Sequence, residues 1–301
     1  MLEVQKRIQD IARQKGIKIF AHTYQPAEIQ EIADLVGDSL ELARRSRDCD
    51  SKIIALCGVR FMAENASILS PDKMILLPNP DAGCPMANMI TPELLLEEKK
   101  KYPNAAVVTY VNSSAEIKAL SDICCTSANA ERVVRNYPAD EMLFVPDQYL
   151  GSWLMEKVPN KKIRLYPGYC PIHQRFAEED VIRLKKENPD AVILCHPEAP
   201  QRIRQHANEI FSTSQMIRFA QLSSYKEFII LTEVGISFPL TRACSDKKFI
   251  FPDMRIRCVN MEKTTLEDLL DTCEKEQYEI KVVEETRLKA EKALSKMLEY
   301  S

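Results

Sequence analysis

Three cysteines have the type and spacing to share one chemical site. Cys84 and Cys170 lie in proline-rich loops, and Cys258 follows a short apolar run at 249–251. Cys170 comes 86 residues after Cys84, and Cys258 comes 88 residues after Cys170. One such cysteine per segment of nearly equal length indicates a threefold internal repeat with each thiol in an equivalent loop. If three such segments pack around one axis, the three thiolates can converge.

A set of three thiolates is incomplete for a closed metal site. Structural zinc and iron–sulfur clusters usually take four protein ligands. A three-ligand site leaves zinc, or one iron of a cluster, open to substrate, and so favours Lewis-acid chemistry over electron transfer. Taken alone, Cys170 could also be a buried thiol or a nucleophile near His173. The chain has ten cysteines but no Cys-x-x-Cys pair, which argues against a zinc ribbon or a redox dithiol.

Polar side chains that such a site needs follow the ends of apparent strands. They are His22, Tyr24, Tyr110, Asn112, His173, His196 and Glu198. Hydroxyl side chains lie just before or at the start of predicted helices, where free N–H groups bind carboxylates or phosphates; these are Ser39, Ser127, Ser212 and Thr213. Each hydroxyl could instead be only a helix cap. Three of the four histidines share this kind of position, which favours a site for a small anionic molecule.

The elements that must position these residues alternate between strand and helix. Apolar runs typical of buried parallel strands lie at 17–22, 53–57, 74–77, 105–111, 123–126, 142–145, 162–165, 191–194, 209–211, 228–231 and 249–251. Helices are predicted between them, including one from Pro26 that carries Val36. A late strand at 280–283 and a charged helix at 285–300 follow. This alternation predicts an α/β fold with parallel sheets covered on both faces.

Length and composition are those of an ordinary globular enzyme. The 301 residues suffice for two or three domains, and 45% hydrophobic with 28% charged residues excludes a disordered chain. The net charge of −3 gives no argument for nucleic acid as a partner. No signal peptide and no membrane-length apolar run is apparent. The sequence therefore predicts a cytoplasmic protein with no membrane association.

Ten stretches spread over the chain resemble the quinolinate synthase family. They are Ala21-His-Thr-Tyr-Gln25, Gly37-Asp-Ser-Leu-Glu-Leu-Ala43, Phe61-Met-Ala-Glu64, Gly83-Cys-Pro-Met-Ala87, Tyr110-Val-Asn112, Thr126-Ser-Ala-Asn129, Pro167-Gly-Tyr-Cys-Pro-Ile-His173, His196-Pro-Glu198, Ser212-Thr-Ser214 and Cys258-Val-Asn-Met261. The resemblance implies three αβα sandwich domains in pseudo-threefold arrangement around a [4Fe–4S] cluster held by Cys84, Cys170 and Cys258. The implied domains are 1–84 plus 259–301, with the C-terminal helix packing back on the first domain, then 85–170 and 171–258.

The family's reaction condenses iminoaspartate with dihydroxyacetone phosphate to quinolinate, with loss of phosphate and water and with the open iron as Lewis acid. Matching motifs imply an acid/base group of Tyr24, His196 and Glu198. They imply that substrate carboxylates and phosphate are held by His22, Ser39, Tyr110, Asn112, Ser127, His173, Ser212 and Thr213. His173 is expected to face substrate without ligating the metal. Because iminoaspartate is labile, an aspartate oxidase or dehydrogenase is the expected functional partner.

Three positions depart from the family's usual pattern. Phe211 stands where glycine often precedes the Ser-Thr pair, which affects the backbone of that anion site. Ala199 replaces a cysteine that is not a cluster ligand, and Met261 replaces the second cysteine of a redox pair found in some members. Because of Phe211, the sequence also allows a paralogue of the family that condenses another amine or triose. A non-catalytic iron or redox sensor is a second alternative, although a sensor does not need Tyr24 or Glu198.

Overall fold

Three four-stranded parallel sheets, each from consecutive strands of the chain, form the framework of this computed structural model, which describes residues 2–300. The first has α1 (Glu3–Lys15), β1 (Ile17–His22), α2 (Ala27–Ile32), β2 (Leu35–Gly37), α3 (Ser39–Asp48), β3 (Ile53–Cys57), α4 (Arg60–Leu69) and β4 (Met74–Leu76). The second has α5 (Pro92–Lys101), β5 (Ala106–Tyr110), α6 (Ala115–Ala119), β6 (Ile123–Cys125), α7 (Ala130–Asn136), β7 (Glu141–Val145), α8 (Gln148–Lys157) and β8 (Lys162–Leu165). The third has α9 (Glu178–Glu187), β9 (Val192–Cys195), α10 (Gln201–Arg204), β10 (Glu209–Ile210), α11 (Thr213–Leu222), β11 (Glu227–Leu231), α12 (Ser237–Ala243) and β12 (Lys248–Ile250).

All three sheets repeat one topology. Their strand orders are β2-β1-β3-β4, β6-β5-β7-β8 and β10-β9-β11-β12, and every pairing in them is parallel. In each sheet the chain moves outward on one side of the first strand and then returns to build the other side. Such a reversal opens a crevice beyond the carboxyl ends of the strands, where α/β proteins bind ligands. The α/β fold with three parallel sheets predicted from the sequence is confirmed.

Short strands of Ile, Val, Leu and Phe are buried between layers of helices. The largest apolar cluster spans the first and second sheets, and separate clusters cover the two faces of the third. After the third sheet, α13 (Leu266–Lys275) packs on α1, whereas α14 (Glu284–Glu299) packs on α4, α6 and β6. The C-terminal helix therefore contacts both the first and second units. The exact domain boundaries stay a prediction.

The first sheet contains a strand that the sequence pattern concealed. Val36 was expected on the apolar face of a helix from Pro26, but that helix ends at Ile32 and Val36 belongs to β2. Asp34 explains the change, because its carboxylate Oδ2 accepts from Ile19 N at 2.9 Å and its own N–H donates to Ile19 O at 2.8 Å. These two bonds hold the backbone extended along β1, and they outweigh the weak helical preference of a single apolar residue.

The late strand predicted at 280–283 is also wrong. A single antiparallel bridge joins Glu279 to Leu76, and Ile280 N donates to Ile75 O at 2.8 Å. The helix α14 then begins at Glu284, so the apolar run covers the edge of the first sheet without forming a strand.

None of the helices within residues 2–300 combines the length and the apolar character that a membrane span requires.

Gly168, two residues before Cys170, lies where a side chain has no room. A Cβ at Gly168 would sit 2.4 Å from Pro146 O, a backbone atom that cannot turn away. We expect Gly168→Ala to lower the free energy of unfolding by about 1–3 kcal/mol, because the cysteine loop must shift to relieve the clash. Denaturant unfolding of the full-length chain measures this change.

Gly83→Ala is the matched control, because Gly83 also precedes a candidate ligand, Cys84, but a Cβ there would meet nothing within 4 Å. We expect its stability to stay within about 0.5 kcal/mol of the wild type. Equal losses in the two variants would show that the close approach at Gly168 is not what constrains the loop.

Candidate active site

One cavity lies where the carboxyl ends of the three sheets meet, and it collects most of the residues predicted from the sequence. Its lining includes His22, Tyr24, Ser39, Cys84, Tyr110, Asn112, Ser127, Cys170, His173, His196, Glu198, Thr213 and Cys258. These are thirteen of the fourteen predicted site residues. The exception is Ser212, which does not line the cavity; its hydroxyl donates to Asp38 Oδ2 at 3.3 Å and accepts from Gln215 N at 3.4 Å. The part of Ser212 in substrate binding stays a prediction.

Equivalent strands deliver equivalent parts of the site. The first strands of the three sheets end at or next to His22, Tyr110 and His196. Ser39, Ser127 and Thr213 follow the second strands, Ser39 and Thr213 as the first residues of the next helix, and the loops after the fourth strands carry the three cysteines. The repeat predicted from cysteine spacing therefore extends to polar residues after the first and second strands of each sheet.

Glu198 is the charged centre of the cavity, and only 4% of its surface is exposed. Its Oε2 lies 2.9 Å from His173 Nδ1, and its Oε1 accepts the hydroxyl of Tyr110. Burial acts to raise the pKa of Glu198, but the neighbouring His173 and His196, with the hydrogen bonds from His173 and Tyr110, outweigh it and hold that pKa well below its usual range. The carboxylate is therefore ionised at neutral pH.

A threonine outside the predicted set connects two of the predicted residues. Thr232 Oγ1 lies 2.6 Å from the hydroxyl of Tyr24 and 2.9 Å from His173 Nε2. Burial, followed by the charge of Glu198, holds the pKa of Tyr24 well above its usual range, so the phenol keeps its proton. Tyr24, from the first sheet, is thus joined through Thr232 and His173 to the carboxylate of the third sheet.

The two other cavity histidines are neutral. Burial lowers the pKa of both His22 and His196 to about 3, against the opposing attraction of Glu198. His22 Nδ1 accepts from Tyr24 N at 3.1 Å, and His196 Nε2 lies 3.3 Å from Ser127 Oγ. The rings of His173 and His196 stack with centroids 4.8 Å apart. Neutral imidazoles can donate to or accept from a substrate without adding charge to the site.

The three cysteines share the cavity as weak acids. Burial raises the pKa of Cys84 to about 12 and that of Cys258 to about 11, and it raises that of Cys170 well above its usual range. Cys170 Sγ lies 3.2 Å from His173 Nδ1. Donor atoms of Cys170, His173 and Glu198 all lie within 4.8 Å of one another, a grouping that could hold a metal ion. The sequence predicts that His173 does not ligate the metal, and this stays a prediction. In the structure its Nδ1 contacts the Cys170 thiol directly.

Two hydroxyl side chains at helix starts line the cavity. Ser39 and Thr213 are the first residues of α3 and α11, two helices of ten residues each. The start of α3 is capped by Asp38, whose Oδ1 accepts from Leu40 N and Glu41 N at 3.1 and 3.0 Å. The positive ends of the two helix dipoles therefore face the cavity from the first and third sheets.

The carboxyl ends of the third strands supply residues that the sequence did not single out. After β11, the Glu233 carboxylate accepts from Gly235 N at 2.7 Å and from Cys258 N at 3.1 Å, and burial raises its pKa to about 7. After β7, Asp147 Oδ1 caps α8, and burial with the charge of Glu198 holds the pKa of Asp147 well above its usual range. Both residues lie two positions after the end of a buried strand, and that position is the signal in the sequence that points to them.

The fold and the site define a parallel α/β enzyme whose central cavity can hold a metal. The sequence profile described as quinolinate synthetase A protein matches residues 6–299. The chain is 45% identical to the quinolinate synthase of Clostridium perfringens (strain SM101 / Type A), over 98% of both chains. It is 48% identical to that of Dehalococcoides mccartyi (strain CBDB1), over 98% of this chain and 97% of the relative, and 48% identical to that of Thermodesulfovibrio yellowstonii, over 96% and 95%. The chain belongs to the quinolinate synthetase A protein family, as its motifs predicted.

The low pKa of His22 predicts a loss of stability in acid. Its folded-state value of about 3 lies below the value of about 6.5 expected for an unfolded histidine, so the unfolded chain binds a proton that the folded chain excludes. Stability therefore falls as pH falls between those two values, by about 1.4 kcal/mol per pH unit for this residue. We expect His22→Gln to reduce the slope of unfolding free energy against pH by that amount.

Denaturant unfolding of the metal-free chain at several values between about pH 4.5 and 5.5 measures this slope, because His22 differs fully between the two states there. The comparison uses the slope alone, so any uniform change in stability caused by the substitution cancels. A variant with the wild-type slope would show that His22 is not neutral in the folded chain.

Proposed function

We propose that this chain is a quinolinate synthase, which condenses iminoaspartate with dihydroxyacetone phosphate to quinolinate and releases phosphate and water. The observation that carries the proposal is the convergence of thirteen predicted residues, from all three sheets, on one cavity. Full-length similarity to quinolinate synthases supports the same reaction. An aspartate oxidase or dehydrogenase that supplies the labile iminoaspartate is the proposed functional partner.

No Lys or Arg within residues 2–300 lines the cavity, so hydroxyl groups are the proposed binding partners of the substrates' carboxylates and phosphate. Glu198 is the ionised group at the centre, while His22 and His196 stay neutral. Anionic groups of the substrates would therefore bind away from Glu198, at the starts of α3 and α11, where the hydroxyls of Ser39 and Thr213 line the cavity and can donate. The reacting carbon and nitrogen atoms would then lie between these hydroxyls and the Glu198 carboxylate.

Proton transfers during condensation and ring closure fall to Glu198, His196 and Tyr24. Glu198 is ionised and can accept a proton, whereas the Tyr24 phenol keeps its proton and can donate one. His196, stacked on His173 and neutral, can donate from one ring nitrogen while it accepts at the other, and so can pass a proton on. The network thus offers an acid, a base and a relay in one enclosed space.

The residues present fit a cluster with three protein ligands, the proposed [4Fe–4S] cofactor. Cys84, Cys170 and Cys258 line one cavity on equivalent loops, and soft thiolates suit iron–sulfur clusters. A single zinc ion would bring three thiolates within roughly 4 Å of each other. Within residues 2–300, Cys170 is grouped at short range with His173 and Glu198, not with the other thiols. When bound, the cluster would supply an open iron as a Lewis acid for substrate oxygen or nitrogen atoms.

The two alternatives find less support in the site. Phe211, which kept open a different substrate pair, does not line the cavity; its ring packs 5.3 Å from Phe219 in the core of the third sheet. A non-catalytic sensor needs a cluster but not the contacts that join Glu198 to Tyr110 and, through His173 and Thr232, to Tyr24. The geometry therefore supports catalysis on the family's own substrates.

Anaerobic reconstitution with iron and sulfide, followed by a quinolinate assay with iminoaspartate and dihydroxyacetone phosphate, tests the proposal. We expect quinolinate to form in proportion to cluster content. A chain that carries a full cluster but makes no quinolinate would exclude this function and favour the paralogue or the sensor. Replacing either substrate by an analogue in the same assay separates those two outcomes.

Substitution of Cys170 tests the proposed ligand set. We expect Cys170→Ser to lose the visible absorbance of the cluster and most of its iron and sulfide, because two thiolates cannot retain it. Cys273→Ser is the control: this thiol is fully buried behind the first sheet and does not line the cavity. Iron, sulfide and absorbance are measured per chain. The same cluster content in both variants would contradict the assignment of Cys170.

A further inference from the structure

Lys118 is a buried cation behind the wall of the cavity. None of its surface is exposed (0%), and it is the one buried lysine within residues 2–300. It belongs to α6, and neither it nor any other lysine or arginine of that range lines the cavity. Burial of an ammonium group is costly unless its charge is compensated, so the position of Lys118 needs a physical reason.

Lys118 contacts two parts of the cavity wall. Its Nζ lies 5.6 Å from the ring centroid of Phe61, a residue that lines the cavity. The same Nζ donates to Ser113 O at 2.6 Å, and the preceding residue, Asn112, also lines the cavity. Because protein atoms screen charge less than water does, a cation at this place raises the electrostatic potential inside the cavity.

No carboxylate neutralises Lys118 by direct contact. Within the part of the chain from 2 to 300, no carboxylate oxygen lies within 4.0 Å of its Nζ. Glu64 attracts Lys118, but the carboxylate oxygens of Glu64 have other partners: Arg60 Nε and Ala115 N, each at 3.1 Å. An ammonium group has three hydrogens, and only one of those on Lys118 has an acceptor among these residues. The protein therefore compensates this charge only in part.

The contents of the cavity would supply the missing negative charge. Burial lowers the pKa of Lys118, and the groups that act to raise it include Glu64 and Cys84, one of the proposed cluster ligands. Three thiolates, together with the carboxylates and phosphate of the substrates, add negative charge to a cavity that already holds the Glu198 carboxylate. Like charges repel strongly in a poorly solvated space, so a cation behind the wall would stabilise them together.

We propose that Lys118 is the counter-charge of the cavity, and that it offsets from behind Phe61 the negative charge of the bound cluster and of the substrates. The inference rests on the proposed function for the identity of those anions. Its sign is testable without the reaction, because a nearby cation stabilises the added electron and so raises the reduction potential of an iron–sulfur cluster. Loss of Lys118 and loss of the Glu64 carboxylate, which competes for it, should therefore have opposite effects.

The first measurement is the midpoint reduction potential of the reconstituted cluster. We expect Lys118→Met, which keeps much of the side-chain length without the charge, to shift the potential to a more negative value. Glu64→Gln should shift it to a more positive value, because a negative charge is lost while one side-chain oxygen is kept. Lys161→Met is the control and should leave the potential unchanged. Lys161 donates to two backbone carbonyls just before β8, at the amino end of the second sheet and away from the cavity.

The second measurement is the affinity of the metal-free chain for inorganic phosphate, determined by titration calorimetry. We expect Lys118→Met to weaken phosphate binding by about 3- to 30-fold and Glu64→Gln to strengthen it. Melting temperatures and iron content per chain show whether each variant is folded and loaded. If Lys118→Met does not fold, the direction of both changes in Glu64→Gln still decides.

Potentials that stay at the wild-type value, or that move in the same direction in both variants, overturn the counter-charge. A purely structural role of the Lys118 and Glu64 contacts predicts losses of stability in both without opposite shifts. A wild type with a full cluster but no quinolinate synthesis would defeat the proposed function, and the potentials would still test Lys118. A wild type that assembles no cluster would defeat the proposed cofactor, and phosphate affinity would then decide.

Discussion

A buried negative charge at Glu198 is the constraint on which the rest of the cavity depends. An isolated carboxylate in such a place would be costly, so it needs donors from every side. Tyr110 from the second sheet and His173 from the loop after β8 supply them directly, and Tyr24 from the first sheet joins through Thr232 of the third. The same charge raises the pKa of Tyr24 and Tyr110. It also acts to raise the pKa of His22 and His196, but burial outweighs it there and keeps both imidazoles neutral. One anion therefore links three sheets and sets the protonation of its neighbours.

A repeated topology explains how three units can satisfy one charge. Because each sheet has the same strand order, its carboxyl edge presents residues in the same sequence of positions. The three units differ in some of these positions. The first strand ends at Tyr110 in the second unit and next to His196 in the third, whereas the loop after the fourth strand carries a cysteine in all three. The thiols are thus the shared feature and the acid/base groups the specialised one. The third strand ends also differ, with Asp147 as a helix cap in the second unit and Thr232 as a contact to Tyr24 in the third.

The sequence was sufficient for features that depend on local pattern. Buried strands appeared as apolar runs, and the cysteine loops appeared through their spacing and prolines. The strand β2 was missed because three residues are too short for a period to show, and its conformation depends on bonds from Asp34 to β1. Thr232 was missed for a related reason, since a threonine after a strand is indistinguishable from a cap until its distant partners are known. Motif resemblance identified the cavity residues but not the residue that holds two of them in place.

Burial of the cysteines bears on how the site would acquire a cofactor. In the folded chain burial raises the pKa of Cys84 to about 12, that of Cys258 to about 11 and that of Cys170 well above its usual range. The thiols are therefore protonated at neutral pH and form a weakly polar surface. Binding of a cation must therefore release protons, and a cluster would bind more weakly as pH falls. Nearby Glu198 adds to the cost of three uncompensated thiolates, because like charges in a poorly solvated space repel strongly. The electrostatics of the cavity thus favour either three protonated thiols or three thiolates neutralised by a metal centre. Free thiolates without a metal are disfavoured.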